Sequence, residues 1–354
     1  MTRLAKLRSK FEALRIDAFL VTFGPHLRYL SGFSGSSGIG VVARGSAALV
    51  TDGRYADQVR YETSGWRIRV TASDLLEEIR SRSWLRPGMR VGFDGNTLSF
   101  AQYKNLRKLF PHATFLPRAG TIEAIAAIKD PGEIASIRRA VAITDDVFSE
   151  ILPIVRPGTS ELDIAAEIAY RQRKHGAESD AFEAIVASGE RSALPHGRPT
   201  PKKLRTGEFG TLDFGCVVAG YHSDMTRTVI LGRATGELRK IYATVLEAQE
   251  KAIGAASSGI SARDLDAVAR GHIRSAGYEK HFRHSLGHGI GLQIHEAPRI
   301  SVLSKAVLEP GNVITIEPGI YIPGLGGVRI EDDVVIRNGS CEVLNRSSKE
   351  LIIL

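Results

Sequence analysis

The chain has 354 residues, 43% apolar and 24% charged, which excludes wholesale disorder and sets an expectation of about two domains at ~150 residues each. Lys and Arg exceed Asp and Glu by 47 − 39 = 8, but the surplus is scattered without a basic run, so it reads as solvated surface and not as a nucleic-acid face. No stretch reaches the ~18 apolar residues of a membrane span. Lys6, Arg8 and Lys10 break what a signal peptide would need as an apolar segment, and two cysteines, Cys216 and Cys341, make no disulfide framework. The expectation is a cytoplasmic protein.

Leu4, Leu7, Phe11 and Leu14 recur at helical spacing. Strands are expected at Asp17–Val21, Ala47–Thr51, Arg90–Phe93 and Ala113–Leu116, giving a small layered α/β domain over residues 1–118. Leu30–Gly40 is rich in Gly and Ser. It lacks both the Lys-Ser/Thr of a P-loop and the spacing of a dinucleotide loop, so it reads as a turn-rich connection. Residues 119–128 read as a linker and 129–354 as a second domain. That domain opens with a long helix after Pro131, striped by Ile134, Ile137, Val141, Phe148 and Ile151, and stopped by Pro153 and Pro157-Gly158.

The second domain contains a repeat. Gly158-Thr-Ser160-Glu-Leu-Asp163 opens a helix that Gly176 closes, and Gly259-Ile-Ser261-Ala-Arg-Asp264 opens another that Gly277 closes, each 18 residues from glycine to glycine. Ser160 and Ser261 suit the N-cap, with an acid three residues on, and the closing glycines suit C′. A duplicated helix–strand unit implies a pseudo-twofold domain with its cleft between the halves.

The chemistry begins at Thr211–Thr228 (TLDFGCVVAGYHSDMTRT). A chain folded back symmetrically around Val218-Ala219 sets Asp213 opposite Asp224, where two bare carboxylates repel unless a proton or a cation intervenes. His288 follows within GHGIG, Glu317 at the end of an apolar run, and Glu331 at a comparable point of the next strand. Four carboxylates and one imidazole form a hard, oxygen-rich set suited to Mn²⁺, Co²⁺ or Zn²⁺, and their number suits two ions with bridging ligands. Cys216, between the aspartates, is expected to turn away from the site. His175, His272 and His281 carry no motif and are expected to be structural.

The motifs LDFG, SDMTRT, HSLGHGIGLQIHEAP (His284–Pro298), IEPGIY and VRIED, with ALPHGRP and IKDPGEI, resemble those of the pita-bread metallopeptidases, which include methionine aminopeptidase, aminopeptidase P and prolidase. The resemblance covers roughly the last 225 residues, and residues 1–118 resemble a creatinase/prolidase N-terminal domain. It implies an α/β (α+β) protein whose pita-bread domain binds two divalent metal ions through Asp213, Asp224, His288, Glu317 and Glu331, with Asp224 and Glu331 bridging. It implies catalytic or substrate roles for His196, His295 and Glu317, substrate contacts from Arg299 and Tyr221, and supporting roles for His284 and Arg329. Glu190 stands where many relatives carry Asn, at the expected pocket wall. The activity implied is hydrolysis of the bond before proline by a metal-bridging hydroxide. The lean is towards prolidase, the Xaa-Pro dipeptidase, with aminopeptidase P as the alternative. A creatinase-like metal-free hydrolase and a non-enzymatic binding module are remoter, because such relatives lose ligands that this chain keeps. Proline-containing peptides are the expected substrates and a homodimer the expected assembly. Organophosphate hydrolysis, an occasional side activity of such relatives, is neither implied nor opposed.

Overall fold

Short apolar runs punctuated by turn residues become strands in both units of the structure, a computed structural model that describes residues 1–354 and divides into Met1–Ala126 and Ala127–Leu354. In the first unit, β1 (Ala18–Val21), β2 (Ile39–Ala43), β3 (Ala47–Asp52), β4 (Arg67–Thr71), β5 (Arg90–Phe93) and β6 (Thr114–Pro117) form one sheet in the order β4-β3-β2-β1-β5-β6. β2 pairs antiparallel with β1 and β3, and the other neighbours are parallel. Leu20, Val50, Val91 and Phe115 meet helical Ile79 and Leu106 in its core. The Leu30–Gly40 segment is a connection only at its centre, since Gly24–Ser31 is a helix and β2 starts at Ile39. Nor is 119–128 an unstructured linker. Thr121–Ala126 is a helix with Ile122 and Ile125 buried, and it belongs to the first unit.

In the second unit, Pro131–Ile151 is a 21-residue helix with Pro131 at its first turn and an Asp130/Glu133 capping box. The strands that follow are β7 (Ser179–Asp180), β8 (Ile185–Ser188), β9 (Phe209–Phe214), β10 (Cys216–Val218), β11 (Tyr221–His222), β12 (Met225–Ile230), β13 (Gly287–Gly289), β14 (Glu296–Ile300), β15 (Val313–Ile316), β16 (Gly319–Ile322), β17 (Gly326–Arg329), β18 (Asp332–Arg337) and β19 (Ser340–Val343). They form sheets β12-β9-β8, β14-β13-β15-β18-β19, β11-β10-β7 and β16-β17.

The repeat read from the sequence is physical. Helices Glu161–Lys174 and Ala262–Ser275 both run 14 residues, capped by Ser160 and Ser261 on the amides of Asp163 and Asp264. Gly158 N–H donates to Leu204 O at 2.9 Å, and Gly259 N–H to Leu308 O at 2.8 Å. Leu204 and Leu308 return the bond to Thr159 O and Ile260 O, each at 2.9 Å. The long helices Pro131–Ile151 and Gly236–Ala255 complete the two halves. Val147, Phe148 and Ile168 pack on Val186, Leu212 and Val229 in one half, while Ile241, Val245 and Leu265 pack on Ile314, Ile316 and Val334 in the other.

Candidate active site

Asp213 sits in the fully buried strand β9, opposite Thr226 of β12. The hairpin turns on Ala219 and Gly220, with φ of 51° and 81°, and Val218 pairs with Tyr221. This is one residue later than the symmetric fold around Val218-Ala219. A tight turn of this hand needs positive φ at both central positions, which Gly220 adopts without strain. Asp224, immediately before β12, is therefore diagonal to Asp213 and not directly opposite. The two-residue period keeps both on one face, and both line the same cleft. Cys216 lies on the far side, its Sγ 3.3 Å from Ala140 O.

His288 owes its position to two glycines. A Cβ at Gly287 would lie 2.0 Å from Thr315 O, and one at Gly289 2.2 Å from Ala297 O, so only glycine lets β13 fit between β14 and β15. The His288 ring Nδ1 is 3.1 Å from Gly289 O. A carbonyl only accepts, so that nitrogen carries the proton and Nε2 presents its lone pair inward. Nε2 lies 3.7 Å from Asp224 Oδ2 and 3.5 Å from Glu317 Oε1. Burial, helped by neighbouring His295, lowers the His288 pKa to about 4, so the imidazole is neutral.

Glu317 follows β15 and accepts from Thr315 Oγ1 at 3.2 Å. Glu331, between β17 and β18, accepts from Thr226 Oγ1 at 2.6 Å. One ligand atom each from Asp224, His288 and Glu331 lie within 4.8 Å of one another. Asp224 Oδ1 and Glu331 Oε1 are buried and accept no hydrogen bond. Burial pushes the Glu317 carboxyl up to about 8. Burial and the neighbouring carboxylates raise Asp224 and Glu331 as well. Sealed acceptor oxygens, crowded like charges and a neutral imidazole with its lone pair inward fit divalent cations, which supply the missing partner for every one of these atoms.

Arg329 is the one buried cation of the centre. It donates to Asp213 Oδ2, to Tyr321 Oη at 2.7 Å and to Thr226 Oγ1 at 2.9 Å. Tyr321 in turn donates to His284 Nε2 at 2.9 Å, and the other ring nitrogen of His284 meets Ser285 O at 2.8 Å. Burial, with Arg329 nearby, lowers the His284 pKa to about 3 and keeps it a neutral acceptor. Asp333 Oδ2 accepts the Asp224 amide at 3.0 Å. The sequence reading missed Thr226, Thr315, Tyr321 and Asp333. Thr226, Thr315 and Asp333 were findable, since each stands two residues from a cleft acid, at the spacing that puts strand residues on one face.

The cleft above this floor has a volume of about 650 Å³. His196, His295 and Arg299 line it, with Phe182, Ile185 and Ile294 as apolar wall. The His295 ring stands edge-on to His288 at 4.4 Å, and burial with His196 nearby lowers its pKa. Two expectations fail here. Tyr221 is not among the cleft-lining residues; it is buried and donates to Glu133 Oε1 at 2.8 Å, within a core that includes Ile290 and Val313. Glu190 is exposed and does not line the cleft, because the 3₁₀ turn Gly189–Ala193, entered at positive φ (58°), buries Ser192 instead.

An Xaa-Pro dipeptidase of Pyrococcus furiosus is 37% identical over 99% of each chain. A solved Xaa-Pro dipeptidase from Bacillus anthracis superposes with TM-score 0.96 at 41% identity over 99% of both chains. A solved X-Pro aminopeptidase from Thermotoga maritima gives TM-score 0.92 at 36% identity, covering both chains completely (100%). Residues 3–128 match the creatinase/prolidase N-terminal domain and residues 135–338 match metallopeptidase family M24, so the chain belongs to that family.

Proposed function

We propose that this chain is an Xaa-Pro dipeptidase in which Asp213, Asp224, His288, Glu317 and Glu331 would hold two divalent cations. The observation that carries the reading is the convergence of these groups, with two orphaned buried oxygens, beneath a cleft walled by His196, His295 and Arg299. Bound cations supply Lewis acidity that lowers the pKa of a water and polarises the scissile carbonyl. Glu317, on the cleft floor 3.5 Å from His288 Nε2, would receive the proton of the attacking water. His295 and His196 offer ring N–H donors to the carbonyl oxygen as charge gathers on it. Phe182, Ile185 and Ile294 receive the proline ring, whose nitrogen has no hydrogen to donate. Arg299 pairs with the free carboxylate that a dipeptide presents one residue beyond the cut.

Mn²⁺ or Co²⁺ is the first choice and Zn²⁺ the second, because the donors are mostly carboxylate. Free thiols at Cys216 and Cys341 support a reducing, cytoplasmic setting, and the resemblance supports a homodimer, which gel filtration with light scattering tests. The second reading, aminopeptidase P, rests on the Thermotoga maritima structure. A length panel with added Mn²⁺ separates them. Xaa-Pro should be cut well ahead of Xaa-Pro-Yaa, and Arg299→Ala should lower kcat/KM on dipeptides roughly 10–100-fold while sparing tripeptides. Equal rates on both lengths would replace the dipeptidase reading with the aminopeptidase one.

A further inference from the structure

The first unit brings three potential ligands together from distant parts of its sequence. His26 lies on the helix Gly24–Ser31, Asp94 follows β5, and Glu123 lies on the helix Thr121–Ala126. One ligand atom from each falls within 4.8 Å of the others. Nδ1 of His26 is 3.9 Å from Asp94 Oδ2, and Nε2 is 3.7 Å from Glu123 Oε2. These separations are too long for N–H···O hydrogen bonds, which close at ~2.7–3.2 Å. Yet Asp94 Oδ2 and Glu123 Oε2 are both sealed from water and accept no hydrogen bond. The Asp94 side chain is only 6% exposed, and its single hydrogen bond, from the Asn96 amide at 3.0 Å, goes to the other oxygen. A carboxylate buried in this way is costly unless something positive meets its idle oxygen.

We propose that His26, Asp94 and Glu123 form a separate binding site for one divalent transition-metal ion within the first unit. Two carboxylates balance the charge of a dication, and the imidazole selects a zinc-like ion over Mg²⁺ or Ca²⁺. Ligand atoms on a tetrahedral Zn²⁺ shell stand roughly 3.3 Å apart, given bonds of ~2.0–2.1 Å. The two carboxylates stand nearest different nitrogens of the His26 ring and one ion takes only one of them, so the site has to converge on a single nitrogen, and Glu123, whose side chain is 25% exposed, has the rotamer freedom to swing towards it. Water completes the shell on that exposed side. Phe23 stands edge-on to the His26 ring at 4.9 Å and holds its orientation. The ion would fasten the Thr121–Ala126 helix to the segment that follows β5 and to the helix Gly24–Ser31. A metal that binds only the folded chain stabilises it by mass action.

The test counts metal on the full-length chain after equilibrium dialysis against Zn²⁺. The wild type should hold one equivalent more than Glu123→Gln or Asp94→Asn, with the peptidase kcat/KM of Glu123→Gln within about twofold of wild type. The double variant Asp224→Asn/Glu331→Gln, crippled in the cleft, should still retain one equivalent. Should the Asp94 or Glu123 variants not fold, a zinc-edge anomalous map of wild-type crystals decides, with a peak among the three side chains expected. Equal metal content in wild type and both single variants, no ion on the double variant, or no peak would overturn the proposal and leave His26 as an ionic partner of two carboxylates.

Discussion

Glu331 and Asp332 are adjacent and both sealed from water, yet their surroundings are opposite. Asp332 receives Arg227 Nη2 at 2.7 Å, Gln249 at 2.9 Å and Lys349 at 3.1 Å. Burial alone would raise its pKa, but Arg227 and Lys349 outweigh it and hold the carboxyl below its ordinary value. Glu331 faces Glu317 and Asp213, has one oxygen without any donor, and is pushed up. Successive residues at the start of a strand point to opposite faces, so one position serves a finished internal ion pair and the other an unfinished one. Burial by itself therefore does not separate structural from functional acids. The supply of positive charge from within the chain does.

The sharpest break in that comparison is Glu331→Gln. It should lower kcat by roughly 10³-fold or more, through loss of several kcal/mol of charge stabilisation, while the metal-free protein keeps or gains stability because a repelling carboxylate is gone. Steady-state kinetics beside thermal unfolding reads both. The opposite face should behave in the opposite way. Arg227→Met leaves Asp332 short of its main cation and frees the chain near Ser347 O and Ser348 O, which Arg227 holds at 2.9 and 3.1 Å. A stability loss of about 3–5 kcal/mol is expected in denaturant unfolding. Smaller is Tyr321→Phe, which removes the link between Arg329 and His284 and should reduce metal affinity or activity by roughly 10–100-fold. Last is the pH response. A carboxyl raised on folding costs stability as pH climbs from its unfolded to its folded value, and Glu317 reaches about 8. The metal-free protein should thus lose Tm between about pH 4.5 and 8, and the Tm gain on adding Mn²⁺ should widen over the same range, since ligands bind deprotonated. A metal-induced Tm gain that stays flat with pH would contradict this.

Much of the architecture was legible because its signals are local. Ser160 and Ser261 cap helices of equal length, and Pro131 opens the helix assigned to it. The cleft acids were legible because charge within or at the ends of apolar strands demands a partner. What failed depended on details the pattern does not carry. A one-residue shift of the Ala219-Gly220 turn changed which residue opposes Asp213. Tyr221 lies in a hairpin close to Asp224 in sequence, but its side chain found Glu133 in the core, a long-range pairing that no periodicity announces. β4 was missed because only Ile68 and Val70 of Arg67–Thr71 are apolar, whereas β2 and the helix Thr121–Ala126 are apolar but lie in short segments whose neighbouring glycines read as connections.

The central claim is that cations complete the unfinished pair beneath the cleft. Crystals of the wild-type chain grown with Mn²⁺ and measured at the manganese edge should give two anomalous peaks ~3.5–4 Å apart, enclosed by Asp213, Asp224, His288, Glu317 and Glu331. A clear map without peaks there, with Asp224 and Glu331 turned away from each other, would contradict it.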